Sequence, residues 1–205
     1  MPNWCNNDLH ISHPDVKMMR RFVKAYNRNR LLNEFIPVPP ELTDSGMSME
    51  KLMARRNKPY NADYEKELKE FTESLNKKYF GYKDWYDFCV SEWGTKWDIG
   101  LGDYGSILTA DDARKGHISI AFDSAWSPPI QAYEKLKDQG FEITAYYYES
   151  GMGFCGAWVD GDDQYYDING NSDWVEENIP TYINEAFVIS ESMAEWEEEN
   201  AEETS

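Results

Sequence analysis

The sequence predicts an α+β fold built on an antiparallel sheet, and three observations carry that reading. Short stretches alternate apolar and polar residues, as Leu9 and Ile11 do and as Ile118 and Ile120 do. Two other stretches, 16–26 and 130–136, space their apolar residues as a helix does, and each follows an alternating stretch. The 205 residues are 41% hydrophobic and 15% aromatic, enough apolar material for one sizeable core and too aromatic for a disordered chain.

The elements follow in order. Asp8 to Ser12 reads as a strand. Pro14 and Asp15 open a helix through about Asn27, with Val16, Met19, Phe22, Val23 and Tyr26 on its apolar side. The opposite side carries Lys17, Arg20, Arg21, Lys24 and Arg28 and reads as a solvated face or one paired with the chain's own acids. Phe35 to Pro40 is an extended connector, because successive prolines exclude helix. Residues 41–80 read as a charged helical insertion, broken in two at Asn57-Lys58-Pro59. A short aromatic helix spans 82–88. Trp97 to Leu108, punctuated by glycine, reads as an irregular strand, and 117–122 as a regular one.

Ser127-Pro128-Pro129 starts a second amphipathic helix that Gly140 ends, since proline suits a first turn and glycine a helix exit. Phe141 to Tyr148 is a strand. Strands at 153–159 and 164–168 follow, with Asp160-Gly161 and Asn169-Gly170 supplying hairpin-turn chemistry. Helices at 173–178 and 180–189 precede a last helix that Ser190 or Ser192 caps, fraying after Glu197. The order β-α-β-β-α-β describes a ferredoxin-like split βαβ sandwich. The expected organisation is a single domain over 1–190 with a helical insertion at about 41–80, then an acidic helix or tail over 191–205.

Charge is distributed unevenly. Lys137 is the last basic residue, and residues 138–205 hold 18 acids, so the first 137 residues balance 20 acids against 20 bases and the net charge of −18 belongs to the last third. A one-signed field of that size repels nucleic acid and anionic membrane and attracts basic protein surfaces. Asp160, Asp162, Asp163, Asp167, Asp173, Glu176 and Glu177 are candidates for a fixed acidic template, and Glu195, Glu197, Glu198 and Glu199 for a flexible tether. No apolar leader opens the chain and no stretch approaches the ~20 apolar residues of a membrane span, which sets the expectation of a cytoplasmic protein. The three cysteines, Cys5, Cys89 and Cys155, are odd in number and far apart, and read as reduced, buried thiols.

Other chemistry is thinly signalled. Cys5, His10 and His13 match no zinc spacing. Asp167 to Asp173 echoes a calcium loop but has Ser172 where glycine is demanded and Asn178 where a bidentate glutamate is. Gly100 to Gly105 lacks the strand-to-helix setting of a phosphate loop. Asp98 and Asp103, or His117 near Glu149, have no spacing that requires catalysis, so neither cofactor nor metal is expected. Trp85, Trp93, Lys96, Trp97 and Trp126 form either core or an aromatic cleft, with Trp93, Trp97 and Trp126 expected to lie mostly buried against the sheet.

Several segments together carry a family resemblance. They are Met1 to Asn7, Phe35 to Pro39, Trp85-Tyr86, Trp93 to Asp98, Ala125 to Pro129 after Phe122, Tyr148-Glu149, and Gly153 to Gly156. They resemble the YubB-like family of phage and conjugative-plasmid proteins with a ferredoxin-like domain. The resemblance implies that fold and a mobile-element origin, in a host cell's cytoplasm, and supplies no activity. The expectation is therefore a binding protein that inhibits a basic host protein, one that binds nucleic acid, through its acidic surface. Such a protein acts as a DNA mimic or counter-defence factor and touches no nucleic acid itself. The alternative is an enzyme or small-ligand sensor using the aromatic cleft around 93–126.

Overall fold

Alternation in the chain becomes pairing in space. The computed structural model describes residues 3–43, 62–102 and 105–203. Its strands are β1 (Trp4–Ser12), β2 (His117–Ala125), β3 (Glu142–Glu149), β4 (Phe154–Val159) and β5 (Asp162–Asp167). Its helices are α1 (Val16–Tyr26), α2 (Leu31–Phe35), α3 (Pro40–Thr43), α4 (Ala62–Phe80), α5 (Trp85–Glu92), α6 (Ala110–Lys115), α7 (Ile130–Asp138), α8 (Ser172–Asn178), α9 (Thr181–Phe187) and α10 (Ile189–Glu203).

One five-stranded antiparallel sheet runs in the order β2-β1-β3-β4-β5. β2 and β3 flank β1, and α7 connects them across one face. Leu9 and Ile11 share that face with Ile118, Ile120, Ile143 and Ala145. Against it pack Met19, Phe22 and Tyr26 of α1 and Tyr133 and Leu136 of α7. Asp15 holds the start of α1 by accepting the Lys17 N–H at 2.8 Å. Gly140, at a φ of +91°, lets the chain leave α7 in a conformation that an L side chain rarely adopts. Two helices on one face of an antiparallel sheet are what the sequence predicts.

Among the described residues the opposite face is only half covered. Tyr146 and Tyr148 of β3, Cys155 and Ala157 of β4 and Tyr166 of β5 meet Val175, Ile179, Ile183 and Ile189 of the C-terminal helices. Over β1 and β2 no helix among the described residues covers the same face, which carries Asn6, Asp8, His10, Ser119 and Asp123. Asp160 and Gly161, at φ of 46° and 97°, form the tight β4–β5 hairpin as expected.

Four expectations need correction. Residues 97–108 form no strand among the described residues, because their hydrogen bonds are spent on the ends of α1 and α2. The Leu101 N–H reaches the Tyr26 carbonyl at 3.0 Å and the Leu31 N–H reaches that of Ile99 at 3.1 Å. The Asn27 side chain donates to the Leu108 carbonyl at 2.7 Å and accepts its N–H at 3.0 Å. Gly100 makes the close approach possible, since a Cβ there would stand 2.5 Å from Asn29 Cα and 2.6 Å from the Tyr26 carbonyl. Asn169-Gly170 makes no hairpin; it leads into α8, whose N-cap Asn171 accepts the Trp174 N–H at 3.1 Å. The last helix continues past Glu197 to Glu203, and the boundary expected at 190–191 falls inside it. Helices α2 and α6 were not anticipated, although Thr109 and Asp112 form a capping box. The break at Asn57-Lys58-Pro59 lies outside the described residues.

Candidate functional site

The candidate residues fall on two features: the exposed acids of β5, α8 and α10, and a cavity at the β2 edge. Asp160 and Asp162 sit at the tip of the β4–β5 hairpin. Asp163 and Asp167 line one side of β5 and Asp162 the other, because successive strand residues point to opposite faces. Asp173, Glu176 and Glu177 share the outward side of α8, while Val175 turns inward. Glu195, Glu198 and Glu199 share the outward side of α10. Glu197 has a different job: its two carboxylate oxygens accept the Ser172 N–H at 3.0 Å and the Ser172 hydroxyl at 2.9 Å, clamping α10 beside the start of α8. This places Glu195, Glu198 and Glu199 on an anchored helix, where the sequence reading had a flexible tether.

These acids have no internal cation. Every ion pair among the described residues uses acids from the first 137 positions, such as Arg21 with Glu34 and Lys135 with Glu92. Lys137 turns its ammonium to the Asp160 carbonyl. The basic side of α1 therefore does not neutralise the C-terminal acids: Arg21 lies 4.5 Å over the Phe35 ring and bonds Glu34. Through Glu199 the acids after Lys137 are exposed, except for Glu197, which is half-buried, and Glu149. Glu149 is buried and accepts the Gly151 and Met152 N–H groups in the turn after β3.

The aromatic candidates divide. Trp93 is 4% exposed and its indole N–H donates to the Ile36 carbonyl at 2.9 Å, so it is core. Trp85 packs half-buried on the same cluster. Trp97 and Trp126 are 39% and 51% exposed, contrary to the burial expected of them. Trp126 leaves the end of β2 at a φ of +73°, which turns its ring out of the sheet. The Lys96 ammonium lies 4.8 Å from the centre of the Trp97 ring. Trp97 stands instead against Trp4, ring centres 5.6 Å apart, a partner the sequence reading missed. Together they wall a cavity of about 650 Å³ whose other side is residues 121–125 of β2. Asp98 at its back is committed to structure: its carboxylate accepts the N–H groups of Leu32, Asn33 and Ile99 at 2.6, 3.1 and 2.9 Å. Burial pushes its pKa up, and those three donors oppose the shift.

The remaining candidates do not converge. Cys5 points into the core and His10 onto the bare face, while His13 meets the Gln139 carbonyl at 3.2 Å. His10 instead stacks on His117 at 6.3 Å and shares a 2.7 Å hydrogen bond with Ser119. His117 pairs with Ser12 at the opposite end of the sheet from Glu149. Asp103 lies outside the described residues. Among the described residues no group of His, Cys, Asp and Glu could hold a metal ion, and no helix is long and apolar enough to cross a membrane.

No family model and no curated protein sequence matches the chain. Among solved structures it is similar to the crystal structure of a protein api92 from Yersinia pseudotuberculosis, of the DUF1281 family, at 14% identity over 83% of this chain and 99% of that chain, with a TM-score of 0.37.

Proposed function

We propose that this chain is a mobile-element accessory protein that binds and inhibits a basic, nucleic-acid-binding protein of its host by presenting carboxylates where that protein expects phosphates. One observation carries the reading: apart from Glu149 and Glu197, the acids from Asp138 through Glu199 are exposed, and among the described residues none has a cation of its own. Duplex DNA carries one charge per ~1.7 Å of its axis, and a basic groove built for it is attracted to any surface with closely spaced anions. β5 and α8 hold their acids on regular elements, with Asp163 and Asp167 on the opposite side of the sheet from α8, and the Glu197 clamp holds the acids of α10 beside those of α8. Preorganisation of this kind lowers the ordering cost of binding. The sheet with α1 and α7 on one face is read as a ferredoxin-like core that is extended on one side by β4 and β5 and has, among the described residues, no outer strand at 97–108. The YubB-like resemblance supplies the mobile-element setting.

The test is capture from host lysate by the immobilised protein. Two variants are compared with wild type: Asp160, Asp162, Asp163, Asp167, Asp173, Glu176 and Glu177 changed to their amides, and Glu195, Glu198 and Glu199 changed to glutamine with Glu197 left in place. Wild type retains a nucleic-acid-binding protein at low salt and releases it at high salt. The first variant loses that protein if β5 and α8 are the template, and the second if α10 is. Retention of the same protein by both variants refutes the reading.

A further inference from the structure

We propose that the open edge of β2 is a docking slot for an extended, basic segment of the partner protein, which adds to the sheet as a further strand. The inference rests on the reading that the partner is basic, and adds where and how a segment of it is gripped.

β2 is the terminal strand of the sheet, paired on one side with β1. The Trp126 N–H donates to the Asn3 carbonyl at 3.0 Å, which sets the phase of the antiparallel ladder. Hydrogen-bonded and non-hydrogen-bonded pairs alternate from there, so Ala125, Asp123, Ala121 and Ser119 turn their main-chain groups away from β1. At Ala125 both groups are taken: the Thr95 hydroxyl accepts its N–H and donates to its carbonyl, each at 3.0 Å. At Asp123, Ala121 and Ser119 no main-chain partner is found on that side among the described residues. Free edges are usually blunted by lysine, proline or a bulge. His117 to Asp123 has neither residue and pairs with β1 in unbroken register, whereas β5 at the other edge carries Asp162, Asp163 and Asp167.

The cavity's shape fits an added strand. Five consecutive residues, 121–125, line it. Consecutive side chains point to opposite faces, so a space bordered by all five runs along the main-chain edge, not over one face. Its far wall is Trp97 and the loop through Gly102, held back by its bonds to α1. The slot lies where a strand at 97–108 would have paired. Its chemistry selects the occupant. The described lining holds no lysine or arginine, and with Asp98 committed to main-chain N–H groups its remaining carboxylate is Asp123, which accepts the Asn6 amide at 2.7 Å and is otherwise exposed. Asp123 projects onto the same side of the sheet as Trp4, whose partner is Trp97. A basic side chain there meets that carboxylate and the indole of Trp4, while Lys96 lies over Trp97. The occupant's alternate residues face Phe122 and Leu101 and are apolar. The ligand class is an extended peptide that alternates basic and apolar residues, held by main-chain bonds to Ala121 and Asp123.

The probe is a synthetic heptapeptide alternating arginine and valine, beside the same peptide N-methylated on every amide, which keeps charge and side chains but has no main-chain N–H on either edge to donate to β2. Binding is measured by calorimetry on the full chain, and residue-level amide exchange by NMR. Ala121→Pro removes an outward N–H without costing a ladder bond to β1. Saturable binding of the unmodified peptide that slows exchange at Ser119, Ala121 and Asp123, with at least a ~10-fold loss on N-methylation and in Ala121→Pro, is the expected result. If the variant fails to fold, the N-methylated peptide on wild type still decides. Equal binding of both peptides, abolished by neutralising the acids of β5 and α8, overturns the slot and leaves the proposed function standing. Exchange protection at Ala121 and Asp123 that grows with protein concentration in the free chain also overturns it, because a second copy then fills the edge. Absence of saturable binding by either peptide overturns the slot, while the lysate capture decides the function separately.

Discussion

Replacing Trp93 with alanine separates core from surface among the tryptophans. Trp93 is 4% exposed, meets Phe88 edge-on at 6.4 Å, and bonds the Ile36 carbonyl. Truncating a buried aromatic to alanine costs about 3–5 kcal/mol through lost transfer energy and the cavity left behind. The Ile36 carbonyl, itself buried, also loses its donor, which places the change toward the upper end of that range. In a chain of 205 residues each kcal/mol lowers the melting temperature by roughly 2–4 °C, so a cost of about 5 kcal/mol lowers it by about 10–20 °C. Trp93→Phe retains most of the volume and loses the N–H, for about 1–2 kcal/mol. Trp126→Ala, at a site 51% exposed, costs under ~1 kcal/mol. Urea unfolding monitored by circular dichroism gives the three values on one scale. A Trp93→Ala cost no larger than that of Trp126→Ala refutes the assignment of Trp93 to the core.

Three further outcomes follow from the same packing. Gly100→Ala destabilises the fold by about 1–3 kcal/mol in urea titration, because a Cβ 2.5 Å from Asn29 Cα forces the loop off α1; a neutral result contradicts that docking. Burial pushes the thiols of Cys5 and Cys89 up to about 12 and that of Cys155 up to about 11, so none reacts with Ellman's reagent near neutral pH until the chain unfolds; rapid titration of any thiol in the native state counts against this. Asp98 has its pKa raised by burial, so its contribution to stability is present below the ordinary carboxylate value and is lost as pH rises through the raised one. The stability difference between wild type and Asp98→Asn accordingly falls as pH rises through that window, and a flat difference refutes it.

Local pattern sufficed where neighbours in sequence decide the structure. Leu9 with Ile11 and Ile118 with Ile120 alternate because one side of β1 and β2 is core, and Asp160-Gly161 turns because both residues accept positive φ. The unpaired acids were legible as well, since a stretch without bases cannot pair its own acids. Distance in sequence hid the rest. Residues 97–108 have the composition of a broken strand, but Asp98 caps residues about 65 positions away and Gly100 fits against α1. Asn169-Gly170 has the same turn chemistry as Asp160-Gly161, yet the Asn171 cap and α8 claim it. Trp97 and Trp126 could not be told from Trp93 by residue type, because their burial depends on how a loop and a strand end are set. The Thr109–Asp112 capping box was visible in the sequence, but α6 lacks the apolar run that would have drawn attention to it. Trp4 became a site residue only when the register put it beside Trp97.

The measurement closest to the central claim is competition between this chain and duplex DNA for the protein it captures. Labelled duplex is bound to that protein, this chain is titrated in, and anisotropy is followed at several salt concentrations. The account predicts full displacement of the duplex, with an affinity for the chain that falls as salt rises, and loss of displacement when the acids of β5, α8 and α10 are neutralised. A captured protein that holds duplex and this chain at once, or displacement indifferent to those acids and to salt, contradicts it.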